Sequence, residues 1–274
     1  MITEPTAFRA AQPLAWSFHR GTVRLPLSTP EGPAPPPEPG REDPAAAWFP
    51  LPAGVPVPGA LDDLVHDRVS CRAFRDRPIG IAELATLLRT GYGVTAAPDE
   101  QSVYLVDRAV PSAGGLYPLE VSVLLRAVDG MPPGVYHYVP YADGLEEVRG
   151  GAVPAALVGY LFMGQRWAAE AAVVLVLSAV CRRSLGKYGD RGYRYLLLEA
   201  GHVAQNVVLA ASGLGLGAVN LGGFFDDELS DLLGIDAESE IVLYGTAVGH
   251  PSSGDRAARR AIESLVAGGS GVPA

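Results

Sequence analysis

Apolar residues recur along this chain with two spacings, one typical of helices and the other of strands. Helical spacing covers 61–68, 81–88 and 196–211, and Gly91 and Gly213 are predicted to end the second and third of these helices. The helix over 196–211 is the longest, because its apolar residues keep i, i+3, i+4 spacing for more than four turns.

Strand-like segments lie on both sides of that long helix. Alternating apolar residues predict an antiparallel meander, and two continuous β-branched and leucine-rich runs predict strands that are buried on both faces. A short apolar strand follows the long helix. The meander covers 121–127, 135–139 and 145–149, the two buried runs are 173–180 and 241–248, and the short strand is 216–221. Helices and antiparallel strands together predict an α+β sandwich around a central, mostly antiparallel sheet.

Composition narrows the class of protein. The chain has 274 residues, 48% of them hydrophobic, and a net charge of -9, which argues against binding to nucleic acid or to anionic membrane surfaces. The longest apolar run, 168–180, contains Glu170 and is too short to span a bilayer. Two cysteines cannot form a disulfide framework or a four-cysteine zinc site, so we expect a reducing, cytoplasmic setting and no metal.

The first 60 residues differ in composition from the rest. Residues 29–58 are dense in proline, which predicts an extended arm. Ahead of the arm, Trp16 and Phe18 either anchor it on a partner surface or pack locally. We therefore divide the chain into an N-terminal segment and arm (1–60), a main domain (61–251) and a C-terminal tail (252–274).

Two loops in the main domain could bind an anionic or planar ligand. Arg68, Ser70 and Arg72 place two guanidinium groups and a hydroxyl where a helix ends, which suits a phosphate, although a solvated loop is the commoner explanation of such a cluster. Residues 111–118, Pro-Ser-Ala-Gly-Gly-Leu-Tyr-Pro, allow backbone N–H groups to approach a ring or a phosphate. The loop matches neither the GxGxxG nor the Walker pattern, and alone it could be an ordinary turn.

A third segment is rich in titratable side chains. Residues 187–195 contain three tyrosines and three basic residues directly before the long helix. Lysine and tyrosine act as acids or bases near neutral pH only if their surroundings lower the pKa. The alternative is a loop at the start of the helix whose rings pack on the body of the protein.

The long helix carries polar side chains, and a glycine pair follows it after the short strand. Glu199 and His202 have the Glu-x-x-His spacing of carboxylate-bridged metal sites, but the further ligands of such a site are missing from the sequence. With Asn206 they predict a hydrogen-bonded seam inside an interface. Gly222 and Gly223 follow the short strand and offer backbone donors beside an aromatic residue.

These segments, taken in order, resemble the successive motifs of the nitroreductase superfamily, and most closely its SagB-type dehydrogenase branch. The resemblance covers about 61–251. Its most specific parts are the loop 111–118 and the helical motif Leu-Leu-Glu-Ala-Gly-His-x-Ala-Gln-Asn, whereas Ser-x-Arg-x-Phe at 70–74 is a weak motif.

The resemblance implies an intertwined homodimer with the cofactor FMN bound in two clefts at the dimer interface. It assigns the contacts with the FMN phosphate and ribityl chain to Arg68, Ser70 and Arg72. Ser112 and Gly114 of the other chain would pack against the flavin ring, and Gly222 and Gly223 would lie near flavin N5. The chain has Val69 where many relatives have a second basic residue.

Two further assignments follow from the same resemblance. An adjacent Lys-Tyr pair is needed for catalysis in the azoline oxidases of microcin and streptolysin type biosynthesis, and Lys187 and Tyr188 match it. Arg256, Arg259 and Arg260 all follow the last strand, and spacing does not decide which of them contacts the FMN phosphate; we assign Arg256.

The resemblance thus implies an FMN-dependent dehydrogenase that oxidises thiazoline or oxazoline rings to azoles in a ribosomally made peptide, in company with a cyclodehydratase complex. Two alternatives stay open. One is an NAD(P)H-dependent nitro or quinone reductase of the same fold. The other is a non-catalytic scaffold subunit of a peptide-modifying complex, which would use the aromatic segment and the arm to hold its partners.

Overall fold

The fold is taken from a computed structural model that describes residues 12–23, 43–96 and 107–252. Its helices are α1 (Pro13–Gly21), α2 (Leu61–Asp67), α3 (Ile81–Tyr92), α4 (Ala155–Leu161), α5 (Arg166–Glu170), α6 (Cys181–Tyr188), α7 (Arg191–Gly213) and α8 (Asp226–Leu233). Its strands are β1 (Trp48–Pro50), β2 (Ile79–Gly80), β3 (Val94–Ala96), β4 (Asp107–Arg108), β5 (Leu119–Leu125), β6 (Val128–Asp129), β7 (Gly134–Val139), β8 (Gly144–Gly150), β9 (Val173–Val180), β10 (Gly217–Leu221) and β11 (Glu240–Gly249). Arg256, most of the predicted C-terminal tail and residues 29–42 of the predicted arm lie outside the described residues.

Seven strands form the central sheet, in the order β1-β8-β7-β5-β9-β11-β10. Every neighbouring pair in this sheet is antiparallel. The predicted α+β class, with its meander over β5, β7 and β8, is therefore confirmed. One strand of this sheet was not predicted: residues 48–50, inside the predicted arm, form the edge strand β1, which pairs with β8.

Both faces of the sheet are covered by helices. In β9, Val173, Leu175 and Leu177 point into a core shared with α3 and α7. The intervening Val174 and Val176 point into a second core shared with α4, α5 and α8. Because both faces are buried, the strand has no polar face, and its sequence reads as one continuous apolar run.

Helices α3 and α7 pack together and position the segments that carry the candidate chemistry. The predicted long helix is confirmed as α7. The predicted end of α3 at Gly91 was wrong, since α3 continues to Tyr92. A Cβ at Gly91 would lie 2.8 Å from Val207 Cγ2, so this glycine lets the two helices approach closely and does not end α3.

Candidate functional site

The arginine segment, residues 68–72, follows the end of α2 in sequence and lies beside the start of β10 in space. Ser70 forms a parallel β-bridge with Ala218, and the Cys71 N–H donates to Ala218 O at 2.9 Å. Beside it lies a cleft of about 210 Å³. Its lining includes Arg68 and Val69, the backbone of Gly215 to Gly217, Ser212 of α7, and Pro251. Arg68 is half-buried at this cleft, while Ser70 and Arg72 are exposed. The Arg68 guanidinium matches the chemistry of a phosphate, but the Asp67 carboxylate also lines this cleft and would repel one, and Ser70 and Arg72 are not among the lining residues.

The glycine loop, residues 111–118, makes one turn of 3-10 helix at Ala113–Gly115. Gly114 and Gly115 have φ of 67° and 65°, a region that glycine adopts without strain. Tyr117 has φ of 42°, which is unusual for a residue with a side chain. The Tyr117 N–H donates to Ser112 Oγ at 2.9 Å, and this hydrogen bond across the turn stabilises the loop.

The predicted catalytic pair contacts the glycine loop of the same chain. A Cβ added at Gly114 would lie 2.9 Å from Lys187 Nζ and closer still to Tyr188 Oη. Glycine suits this position, because its backbone angle would strain an L-residue and a Cβ would displace the ends of these two side chains. Lys187 and Tyr188 are half-buried at the end of α6, where the sequence predicted a loop. The Tyr188 ring also packs edge-on against Tyr195, with centroids 5.0 Å apart.

Lys187 differs in kind from the arginines of this chain. The 21 lysine and arginine residues comprise 20 arginines and one lysine, which is Lys187. An arginine stays protonated in proteins, whereas a lysine can lose its proton when its surroundings favour the neutral amine. The only lysine among these 21 side chains thus lies against the glycine loop.

Glu199 of α7 has a buried carboxyl group that is hydrogen-bonded to the glycine loop. It accepts hydrogen bonds from Ser112 Oγ at 2.5 Å and from Tyr92 Oη at 2.8 Å. Burial raises the pKa of Glu199 to about 7, although these two hydrogen bonds and the charge of Arg108 oppose the rise. The sequence signal was a glutamate on the apolar face of the helix, but its partner Ser112 is 87 residues away and was not predicted.

The other members of the predicted polar seam have separate environments. Asn206 Nδ2 donates to Thr90 O at 3.1 Å and to Ala109 O at 3.2 Å, so it joins α7 to the end of α3. His202 is exposed. The seam therefore lies within this chain for Glu199 and Asn206 and does not include His202.

A buried ion pair joins α6 to the sheet. Arg183 Nη1 donates to Glu120 Oε1 at 2.7 Å, and the other carboxylate oxygen lies 2.8 Å from His137 Nε2. Burial alone would raise the pKa of Glu120, but the hydrogen bonds and charges of His137 and Arg183 together hold it below its ordinary value. Glu120 is therefore ionised at neutral pH. Sequence reasoning missed this cluster, although a glutamate within an apolar strand was its signal.

The glycine pair, Gly222 and Gly223, directly follows β10 and is far in sequence from the arginine segment. Gln165 Nε2 donates to Gly223 O at 3.0 Å and fixes this turn against α5. A Cβ at Gly222 would make only an ordinary contact with Tyr244, so its position is open. The strand β10 connects this pair to the arginine segment, since its first residues line the cleft.

The predicted site residues thus fall into two groups within one chain. Glu199, which holds Ser112, and Ser212, which lines the arginine cleft, are thirteen residues apart on α7. At 1.5 Å per residue they are separated by about 20 Å. The glycine loop and the Lys-Tyr pair therefore lie near the start of α7, and the arginine segment lies near its end.

The N-terminal aromatic segment packs on the same chain. The Phe18 ring lies edge-on to Tyr193, with centroids 5.4 Å apart, and Arg194 donates to His19 O at 2.6 Å. Arg191 Nη1 also donates to Thr22 O at 3.0 Å. Of the two predicted uses of this segment, the described residues show local packing, on the start of α7.

Two findings concern membrane and metal binding within the described ranges, 12–23, 43–96 and 107–252. Within these ranges no helix is long and apolar enough to cross a membrane. The same ranges hold no group of three or more His, Cys, Asp or Glu side chains that could ligate a metal ion.

Relatives of known sequence fall into two kinds. The protein MJ1384 of Methanocaldococcus jannaschii, named as a nitroreductase, is 40% identical over 179 residues, which are 64% of this chain and 84% of that protein. The microcin B17-processing protein McbC of Escherichia coli is 31% identical over 145 residues, which are 52% of each chain. This chain thus matches about half the length of the peptide-processing relative.

Solved structures agree with the fold. A nitroreductase-like protein from Anabaena variabilis superposes with a TM-score of 0.69 and 28% identity, covering 86% of this chain and 46% of the other. A chain of the Escherichia coli microcin synthetase McbBCD complex, with truncated pro-MccB17 bound, superposes with a TM-score of 0.59 and 24% identity, covering 92% and 85%. Residues 65–250 match the model of the Nitroreductase family. The chain belongs to the nitroreductase family.

Proposed function

We propose that this chain is an FMN-dependent dehydrogenase that oxidises thiazoline or oxazoline rings in a peptide to thiazoles or oxazoles. The observation that carries the proposal is the convergence of Lys187 and Tyr188 on Gly114, in the loop that the resemblance assigns to the flavin ring. Similarity to McbC, a peptide-processing protein, supports the same substrate class.

The residues present fit FMN in two parts. Arg68 lines the cleft beside β10 and would hold the phosphate there, whereas the contacts of Ser70 and Arg72 with the phosphate and ribityl chain are implied by the resemblance alone. That cleft, of about 210 Å³, is smaller than the ~300 Å³ at which pockets for small molecules begin. Glu199 and Ser212, the α7 residues that contact the glycine loop and line the cleft, are about 20 Å apart along the helix. We therefore propose a homodimer in which the glycine loop and Lys-Tyr pair of one protomer complete the flavin cleft of its partner.

The Lys-Tyr pair would supply the base. Tyr188, assisted by the neighbouring Lys187, takes the proton from the ring carbon that is attached to the peptide carbonyl. When bound, FMN would supply the acceptor for the hydride that leaves the adjacent ring carbon, and molecular oxygen would be the final acceptor of the two electrons. The substrate thus loses one proton and one hydride, which together are two mass units, and the ring becomes aromatic. The half-buried position of the pair at the loop would limit the access of water to the proton.

The test compares variants of the pair on an azoline-containing peptide. Tyr188→Phe and Lys187→Met are each expected to lower the rate of the two-mass-unit loss by about 10²- to 10⁴-fold, the usual contribution of a general base. Lys187→Arg keeps the positive charge but cannot exchange the proton, and it separates these two roles. Tyr193→Phe is the control, because its ring packs on Phe18 outside the pair. Undiminished turnover in both Tyr188→Phe and Lys187→Met would remove the assigned role.

A nitro or quinone reductase is the second candidate, and the 40% identity to MJ1384 favours it. Such an enzyme would consume NADPH with a nitroaromatic compound, and Lys187→Met would leave that rate unchanged. The scaffold alternative is tested by the same preparation, because a scaffold would be purified without flavin absorbance. A cyclodehydratase partner, by analogy with the McbBCD complex, would be detected as co-elution with the candidate enzyme.

A further inference from the structure

A buried cluster of charged residues, away from the proposed flavin contacts, connects the two segments on which the proposed function depends. Glu120 is the second residue of β5, and β5 begins directly after the glycine loop. Arg183 lies on α6 one helical turn before Lys187. The Glu120 and Arg183 side chains meet at 2.7 Å, so one contact joins the strand after the loop to the helix that carries the catalytic pair.

Each oxygen of the Glu120 carboxylate has its own donor. Arg183 Nη1 bonds to Oε1, and His137 Nε2 lies 2.8 Å from Oε2. Since an ionised carboxylate only accepts hydrogen bonds, the proton of this contact is on His137 Nε2. His137 belongs to β7, the strand next to β5, and it therefore fixes the carboxylate against the sheet. The relative exposures of Glu120, His137 and Arg183 are 3%, 1% and 7%.

Burial makes the geometry of this contact demanding. A buried ion pair contributes little net stability, because removing two charges from water costs about as much as their attraction returns. Removing one partner is costly, because the other charge is then buried without compensation. The pair therefore allows few alternative placements of α6, and this specificity is a better explanation of its presence than stability.

We propose that Glu120 is a positioning residue, which through Arg183 sets the placement of Lys187 and Tyr188 against Gly114. The proposal rests on the proposed function of the pair. An anchor of this kind matters because misplacement by about 1 Å can lower a rate about 10²-fold. Glu120 follows Gly114 by six positions, and Lys187 follows Arg183 by four, so the ion pair is close in sequence to both the glycine loop and the Lys-Tyr pair.

The uniqueness of Lys187 provides a readout that needs neither substrate nor flavin. Reductive methylation modifies lysine side chains and the α-amino terminus, and peptide mass spectrometry separates these two products. The methylation rate of Lys187 then reports how well α6 is held against the glycine loop. Glu120→Gln alone removes the charge that Arg183 Nη1 contacts while Arg183 stays buried, and it risks misfolding. The double variant Glu120→Gln with Arg183→Met removes both charges, and the amide oxygen of the introduced glutamine still accepts from His137.

The control is Arg89→Met, which removes an ion pair of similar length, since Arg89 Nη2 lies 2.6 Å from Asp143 Oδ2. That pair joins α3 to the turn after β7 and does not involve α6. We expect methylation of Lys187 to be at least about tenfold faster in the double variant than in the wild type, and unchanged in Arg89→Met. We also expect azoline turnover to fall about 10²-fold in the double variant.

Methylation of Lys187 at the wild-type rate in a folded double variant would overturn the proposal. Equal acceleration in Arg89→Met would also overturn it, because the effect would then reflect general loosening. If the wild type oxidised no azoline, but Lys187 were still methylated faster in the double variant than in the wild type, the result would count against the proposed substrate. It would still support the positioning role of Glu120.

Discussion

Replacing Gly114 by alanine should separate the stability of the fold from the geometry of the site. Gly114 has φ of 67°, and an L-residue in this region costs about 1–2 kcal/mol. The new methyl group would also lie 2.9 Å from Lys187 Nζ and closer to Tyr188 Oη. Both are the ends of side chains, so they would move away at little cost to the fold. The loss of stability should thus remain near the backbone cost alone, while the pair is displaced.

Gly130→Ala provides the matched control. Gly130 has φ of 84°, and a Cβ there would meet no atom within 4 Å. Both variants should therefore lose about 1–2 kcal/mol of unfolding free energy in a denaturant titration. Azoline turnover should fall about 10²-fold or more in Gly114→Ala only, because displacement by about 1 Å is sufficient for such a loss. If Gly114→Ala and Gly130→Ala had equal turnover, the close approach of the pair to the loop would have no catalytic meaning.

Two further predictions concern Glu199 and the arginine segment. Glu199 has a pKa raised by burial from 4.5 to about 7, so its contribution to stability is present below pH ~4.5 and is lost as the pH rises through about 7. The difference is worth about 3 kcal/mol. Glu199→Gln should remove it, and denaturant midpoints at about pH 5 and pH 8 would then lie closer together than those of the wild type; an unchanged separation would exclude this account. Arg68→Ala should weaken FMN binding about 10- to 100-fold in a fluorescence titration, since a hydrogen bond to a charged group is worth about 1.5–3 kcal/mol. Arg77→Ala, an exposed arginine nearby, should bind as the wild type does, and equal losses in both would indicate only a general effect of charge.

Local patterns predicted the parts of the fold that have a single explanation. The long helix α7 and the strands β9 and β11 were found near their predicted places, because long apolar runs with one spacing leave few alternatives. Helix α6 was missed, since Cys-Arg-Arg-Ser-Leu-Gly-Lys-Tyr is mostly polar and contains a glycine. Its helical form depends on tertiary contacts such as the one between Arg183 and Glu120.

The candidate site shows the same limit. Motif order identified the segments, but it could not identify their neighbours in space. Ser112 and Glu199 are 87 residues apart, and Arg183 and Glu120 are 63 residues apart, so neither contact leaves a trace in local spacing. The sequence did contain a cue in both cases, because a carboxylate within an apolar strand or helix face needs a partner.

The order of strands in the sheet has a consequence for the synthesis of this protein. Strand β9 pairs with β5, which precedes it, and with β11, which begins 60 residues after β9 ends. At about 5–20 residues per second, a ribosome needs roughly 3–12 s to add those residues. During that time one edge of an almost wholly apolar strand has no native neighbour, and such an edge is a template for aggregation. Slower growth at low temperature, or a chaperone that covers this strand, should raise the yield of the folded chain.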